Sequence, residues 1–154
     1  MKISNLIDKL KERPRTLDAQ QIQQKEEWLG AIDSLFKGIE EWLAPAVQEG
    51  VLTTSRSAEG IVEQYLGEYQ APVLRIDDGR ATVRLQPVGG RVVGLVEPHM
   101  HGLRGRVDLI CGPFKIPLVR DSTGNWLALP LRGEPVELTE ETFTEILSEI
   151  LLDD

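Results

Sequence analysis

Residues 73–86 read VLRIDDGRATVRLQ, and this stretch decides how the middle of the chain folds. It begins with apolar residues and continues into an Asp-Gly pair at 78–79, which suits the tight turn of a β-hairpin. After the turn, Ala81, Val83 and Leu85 alternate with polar side chains. Such alternation is typical of a strand with one buried and one solvated face. The stretch therefore predicts a hairpin within an antiparallel sheet.

Further strands are predicted on the C-terminal side of this hairpin. Short β patterns recur there with turn signals between them, at the spacing expected of an antiparallel meander. They cover residues 91–96, 104–111, 115–119 and 125–131. Pro117 has no backbone N–H, so we expect an edge strand or a bulge at that position. Together with the hairpin, these segments predict a meander of five or six strands over residues 70–132.

A short first helix is predicted near the start of the chain, within a helical region that spans residues 1–50. Its apolar residues are three and four positions apart, as on one face of a helix. They are Ile3, Leu6, Ile7 and Leu10. The helix must end near Arg13, because Pro14 disfavours helical geometry in the residue before it.

A long amphipathic second helix is predicted over residues 17–47. Its apolar residues form a heptad-like seam, which is typical of a helix that packs along a partner surface. The seam consists of Leu29, Ile32, Phe36, Ile39 and Leu43, with Trp28, Leu35 and Trp42 beside it. We interpret the seam as core packing, with self-association through residues 28–47 as the alternative. Asp18 is a candidate cap, Pro45 is expected to end or kink the helix, and Gly50 to terminate it.

A short C-terminal helix is predicted over residues 138–152. Thr139 is the expected N-cap, and Glu140 and Glu141 suit the positive end of a helix. Its apolar face comprises Phe143, Ile146, Leu147, Ile150 and Leu151, so the opposite face is acidic. Residues 53–69 fit neither a helix nor a strand pattern clearly. The order of elements predicts an α+β fold in one domain over residues 1–154, with the two longer helices packed on the sheet.

Composition favours a globular protein of the cytoplasm. The chain has 154 residues, 41% of them hydrophobic and 27% charged, which is ordinary for one folded domain. The single cysteine, Cys111, lies in an apolar run and reads as a core residue. The N-terminal residues do not resemble a signal peptide, and no apolar run is long enough to span a bilayer. We therefore expect no membrane association.

The charge is distributed unevenly along the chain. The net charge is −4 for residues 1–70, +4 for residues 71–132 and −8 for residues 133–154. Eight of the nine basic residues in the middle block are arginines, which bind carboxylates through a planar fork. Candidate partner-binding residues are therefore Glu140, Glu141, Glu145, Arg84, Arg104 and Arg106. The alternative is that these arginines protect strand edges and that some of them bridge to the acidic C-terminal helix.

Residue patterns that carry chemistry are scarce. His99 and His101, with Glu97, have the residue types of a metal site, but Pro98 and Gly102 around them favour an exposed loop. The glycine pairs lack the following helix that a phosphate site needs. Nucleic acid is disfavoured as a ligand, because the net charge is −8 and few aromatic residues accompany the arginines. We therefore expect no catalytic residues, no cofactor and no metal.

These observations favour a protein-binding module over an enzyme. In its general character, a small, strongly acidic chain without catalytic motifs, the protein resembles bacterial toxin-neutralising immunity proteins. That resemblance implies an antitoxin-like or adaptor role in which the acidic helices cover a basic partner surface. Two alternatives remain at this point: a homodimer formed through the 28–47 helix, and a small metal-dependent enzyme with ligands near His99 and His101.

Overall fold

A computed structural model describes residues 1–12, 17–90, 104–130 and 132–152. Within these residues, two helices are followed along the chain by seven strands and a third helix. The helices are α1 (Ile3–Glu12), α2 (Ala19–Gln48) and α3 (Glu140–Leu151). The strands are β1 (Thr53–Glu63), β2 (Gly67–Asp77), β3 (Thr82–Gly89), β4 (Arg106–Cys111), β5 (Phe114–Arg120), β6 (Trp126–Ala128) and β7 (Val136–Glu137).

The strands form one antiparallel sheet in which each strand pairs with the next along the chain. The predicted α+β class and meander order are therefore confirmed. The described part of the chain contributes seven strands rather than five or six, because β1 and the two-residue β7 also join the sheet. The strand predicted at 91–96 lies outside the described residues.

The first two strands form a long hairpin that the sequence pattern did not resolve. They pair over their full length, from Thr53 opposite Asp77 to Glu63 opposite Gly67. Val73 and Leu74 are consecutive in β2, yet both are buried, at 1% and 0% exposure. Because consecutive strand residues point to opposite faces, both faces of the sheet are covered at this position. Period-two alternation is lost for that reason.

The Asp-Gly turn between β2 and β3 forms as predicted. Gly79 has a φ of 89°, a conformation that other residues adopt rarely. The Asp77 carboxylate accepts the Gly79 N–H at 2.6 Å, and the Asp78 carboxylate accepts the N–H groups of Arg80 and Ala81 at 2.8 and 2.7 Å. The Thr82 hydroxyl and the Gly79 N–H lower the pKa of Asp77, and the N–H groups of Ala81 and Arg80 lower the pKa of Asp78.

Pro117 lies in β5, between β4 and β6, so the prediction of an edge strand is wrong. The pairing of β5 with β4 also runs through Pro117 without a bulge. On the other side, the ladder with β6 ends at Leu118 opposite Ala128, and the Pro117 carbonyl accepts the Leu129 N–H at 2.9 Å. The missing N–H of Pro117 therefore faces β6 at the end of that ladder and not β4, so the β4–β5 ladder continues through the proline.

The seam of α2 packs in the core. Asp18 caps the helix in a capping box with Gln21, and the helix runs through Pro45 to Gln48 before Gly50, with a φ of 75°, turns the chain away. Its buried side chains are Trp28, Ile32, Leu35, Phe36, Ile39 and Leu43. They form one apolar cluster with sheet residues and with Phe143, Ile146 and Leu147 of α3. The predicted core packing of this helix is therefore confirmed.

Candidate functional site

The surface of α3 that faces solvent is acidic. Thr139 caps α3 in a capping box with Thr142, and burial of Phe143, Ile146 and Leu147 fixes which face points inward. The exposed face carries four glutamates, which we call the acidic face: Glu140, Glu141, Glu145 and Glu149. The local sequence thus positions these carboxylates on a docked, capped helix.

The acidic face has no neutralising partner within the described part of the chain. Glu141, Glu145 and Glu149 follow one another at four-residue spacing, so they are neighbours on the helix surface. Like charges at this spacing destabilise a helix by about 0.2–0.5 kcal/mol per pair. Helix α3 contains no lysine or arginine, and none of the ion pairs among the described residues involves it. The glutamates of this row therefore repel one another, and folding of the helix does not require them.

The candidate arginines lie on another surface of the sheet. Val83 and Leu85 of β3 point into the core shared with α3, so Arg84 between them points to the opposite face. Arg106 lies on β4, and Arg104 is exposed just before that strand. The structure therefore places the three candidate glutamates on one surface and Arg84 and Arg106 on another, with Arg104 just before β4.

Several arginines are held by carboxylates of the same chain. Arg106 Nε donates to Asp108 Oδ1 at 2.7 Å, and Lys115 Nζ lies 3.5 Å from Asp108 Oδ2. Asp108 is 3% exposed and is the buried charged residue of the described chain. The other pairs join Arg75 to Glu59, Arg120 to Glu27, and Arg56 to Asp33 and Glu40. Arg106 is thus paired within its own chain. The expected bridges to the C-terminal helix are absent among the described residues, because the partners lie on α2 and the sheet.

Arg84 and Arg104 differ from Arg106 in this respect. Among the described residues, neither forms an ion pair, and the Nε atom of Arg84 is buried without a hydrogen-bond partner. Arg84 lies opposite Arg75 in the β2–β3 ladder, so two cations are adjacent on this face. Like charges directly opposite one another destabilise a sheet. Of the three candidate arginines, Arg84 and Arg104 are thus the two without an ion-pair partner in the described part of the chain.

A buried hydrogen-bond chain links α2 to the sheet, and sequence reasoning missed it. Trp28 Nε1 donates to the Tyr69 hydroxyl at 3.0 Å, and this hydroxyl donates to the Glu63 carboxylate. The other oxygen of Glu63 accepts the Gly90 N–H at 2.9 Å. Burial, followed by the contact with Glu63, raises the pKa of Tyr69 far above its ordinary value. Tyr69 is thus a fixed hydrogen-bond donor that stays protonated, which suits a structural role.

An open groove lies between α2 and the β6–β7 end of the sheet. We call it the α2 groove; its volume is about 320 Å³. It is lined by Ser34, Leu35, Gly38, Trp42, Gly124, Asn125, Trp126, Glu137 and Leu138. Trp126 lies 6.0 Å from Trp28 between ring centroids, and Trp42 lies 5.8 Å from Phe143, so core packing fixes both walls. Glu137 is the one ionisable side chain in this lining, so the groove offers no acid–base pair.

Metal and thiol chemistry have little support among the described residues. His99 and His101 lie outside those residues. Within them, no group of three or more histidine, cysteine, aspartate or glutamate side chains is arranged to hold a metal ion. Cys111 is buried, and burial raises the pKa of its thiol, which opposes formation of the reactive thiolate.

Comparison with protein-family models, with curated proteins and with solved structures found no match for this chain. In the described part of the chain, no helix combines the length and the apolar character that crossing a bilayer requires.

Proposed function

We propose that this protein is a non-enzymatic binding module whose acidic face on α3 covers a basic surface of another protein. The observation that carries the proposal is the row of Glu141, Glu145 and Glu149 on a helix without cations, a row that no described residue neutralises. Such a row opposes folding, and a lysine- or arginine-rich partner would turn the repulsion into attraction.

The geometry of α3 suits rapid and selective docking. Side chains four residues apart lie about 6 Å apart along a helix, which allows adjacent cations of a partner to pair with successive glutamates. Burial of Phe143 and the cap at Thr139 hold the row in place before binding, so little ordering is needed on association. Complementary fields of this kind accelerate association and reject like-charged partners.

The charge also decides between classes of partner. A net charge of −8 repels the phosphate backbone of nucleic acid, so the proposed partner is a protein. Within this proposal, an immunity or antitoxin-like protein or an adaptor of the cytoplasm is the specific role that best fits a small acidic chain. Association through the seam of residues 28–47 would require Ile32, Phe36 and Ile39 to leave the core, where each is 0% exposed.

The test begins with affinity capture from the native cell, using the full chain as bait. The partner that co-purifies in stoichiometric amount is then measured against two variants with equal charge change. The first is Glu141→Lys with Glu145→Lys on the acidic face. The matched control is Glu26→Lys with Glu41→Lys, two exposed glutamates of α2 that form no ion pair within the described residues.

We expect the α3 variant to weaken the complex at least tenfold and to make its affinity less dependent on salt. The α2 control should change affinity little. Thermal unfolding should show that both variants are folded, because all four side chains are exposed. A complex that responds equally to both variants, or to neither, would contradict the proposal.

A further inference from the structure

Helix α1 leaves its entire apolar stripe in solvent. Ile3 is 70% exposed, Leu6 41%, Ile7 43% and Leu10 51%, and no residue of the helix is buried. The helix has only ten residues. Isolated helices shorter than about 12–15 residues are marginal in water, and they gain most of their stability by packing an amphipathic face. The stripe therefore needs an apolar surface that the described part of its own chain does not provide.

The charge of this segment is opposite to that of the rest of the protein. Residues 1–15 contain five basic and two acidic residues, a net charge of +3. The remainder of the chain consequently carries −11. Helix α1 itself contains two lysines, one aspartate and one glutamate and is neutral, so the excess positive charge lies beside it in the sequence, at Lys2, Arg13 and Arg15. A surface that attracts this segment is thus acidic around an apolar centre.

The α2 groove has both properties. Its walls are the rings of Trp42 and Trp126 with Leu138, and Glu137 lies in its lining. Glu137 belongs to residues 133–154, which contain eight acidic residues and no basic ones. A Cβ atom placed on Gly38 would meet no atom within 4 Å, so the helix side of the groove has room for a side chain from outside.

We propose that α1 of one copy docks its apolar stripe in the α2 groove of a second copy. The stripe and the groove are both unfilled within the described part of one chain, so a second chain supplies what each lacks. Lys11, one helical turn beyond Ile7, flanks the stripe and would lie near Glu137 of the groove lining. Two copies can exchange their α1 helices reciprocally, which gives a closed dimer with twofold symmetry and doubles the buried surface.

This proposal is separate from the function proposed for the acidic face. The α2 groove and the acidic face share no residue, and the groove proposal predicts a homodimer whether or not a basic partner exists. Each proposal can therefore fail without the other.

Sedimentation velocity of the full chain, from low to high micromolar concentration, tests the dimer. We expect Leu6→Glu to weaken dimerisation at least tenfold, because it places a charge in the stripe. Asn5→Glu adds the same charge on the opposite face of α1 and should leave the dimer unchanged. In the groove, Gly38→Leu should abolish docking, whereas Gly30→Leu, two helical turns away and equally open, should not. A chain that is monomeric throughout, or a dimer that ignores both Leu6→Glu and Gly38→Leu, would overturn the proposal.

Two further readouts exclude other occupants of the stripe. Ile7→Cys in one chain and Gly38→Cys in a differently tagged chain should form a disulfide between the two chains; a disulfide confined to single chains carrying both changes would show that α1 folds back on itself. Vesicles rich in anionic lipid test the remaining occupant. We expect the protein to stay in solution, and co-sedimentation with vesicles that Leu6→Glu abolishes would assign the stripe to a membrane surface instead.

Discussion

Gly105 lies against the indole ring of Trp28, so closely that a Cβ atom on Gly105 would be 2.1 Å from Cζ3 of the ring. Gly90 approaches the same ring from another position, where an added Cβ atom would lie 3.1 Å from Cγ. Trp28 is 2% exposed and also donates the indole hydrogen bond to Tyr69. Trp28 of α2 can therefore pack at the end of the sheet because neither glycine has a side chain.

Gly105→Ala should destabilise the protein, because neither the ring nor the strand can give way by that distance. Overpacking of this kind costs about 1–3 kcal/mol. The control is Gly30→Ala on α2, where a Cβ meets nothing within 4 Å and alanine improves helix propensity by about 1 kcal/mol. Urea denaturation should therefore give opposite signs for the two changes, and equal midpoints would contradict the packing of Trp28 against Gly105.

Tyr69→Phe should remove the centre of the buried hydrogen-bond chain. It leaves Trp28 Nε1 without an acceptor and one oxygen of Glu63 without a donor. An unsatisfied buried polar group costs about 1–3 kcal/mol, so we expect a loss of that size in the free energy of unfolding. A loss no larger than that of an exposed substitution would show that the chain of hydrogen bonds contributes nothing.

The same tyrosine makes stability depend on alkaline pH. The pKa of Tyr69 is raised above its ordinary value of 10.0 in the folded protein, so the unfolded chain loses this proton first. Its contribution to stability is complete below about pH 10 and decreases as the pH rises beyond that value. The difference in unfolding free energy between the parent chain and Tyr69→Phe should shrink from pH 9 to 11, values about one unit either side of the ordinary tyrosine pKa. A constant difference would contradict the raised pKa.

The elements that sequence predicted are those whose signals are local. The hairpin around Gly79 depends on turn residues that bond to their own neighbours, and α3 depends on a cap at Thr139 and an apolar period. β1 and the start of β2 were undecided, because β1 is largely exposed and therefore shows no alternation between a buried and a solvated face. Pro117 was assigned to an edge strand because the sequence does not show where the ladder with its partner strand β6 ends.

The charged surface was predictable only where local sequence determines it. An amphipathic helix places Glu141 and Glu145 outside by its own periodicity. Which arginines stay free depends on carboxylates far away in sequence: Arg120 pairs with Glu27, 93 residues earlier. Arg106 has its partner two residues away, yet strand alternation alone does not show that Asp108 is buried.

Arg106→Ala should destabilise the protein more than Lys115→Ala, although both side chains face the same carboxylate. Arg106 binds Asp108 through two nitrogens, at 2.7 and 3.3 Å, and its side chain is 20% exposed. Lys115 is 58% exposed and 3.5 Å from the carboxylate. Removing the arginine leaves a buried charge poorly paired, for which we expect a loss of about 3 kcal/mol. Removing the lysine should cost less than about 1 kcal/mol. Chemical denaturation of both variants measures the order, and the reverse order would be inconsistent with this pairing.

Glu145→Lys should stabilise the protein even though it alters the proposed binding surface. The change replaces two like-charge neighbours, Glu141 and Glu149, with two attractive ones at four-residue spacing. We expect a gain of about 0.8–2 kcal/mol at low salt, seen as a higher Tm, because each of the two pairs changes from a repulsion to an attraction of about 0.2–0.5 kcal/mol. Raising the ionic strength should reduce the gain, because these charges are exposed and screened. Glu26→Lys serves as the control, since it changes the net charge equally at an exposed site on α2. If both variants raise the Tm to the same extent, the gain comes from net charge alone, and the row of glutamates on α3 carries no local repulsion for a basic partner to relieve.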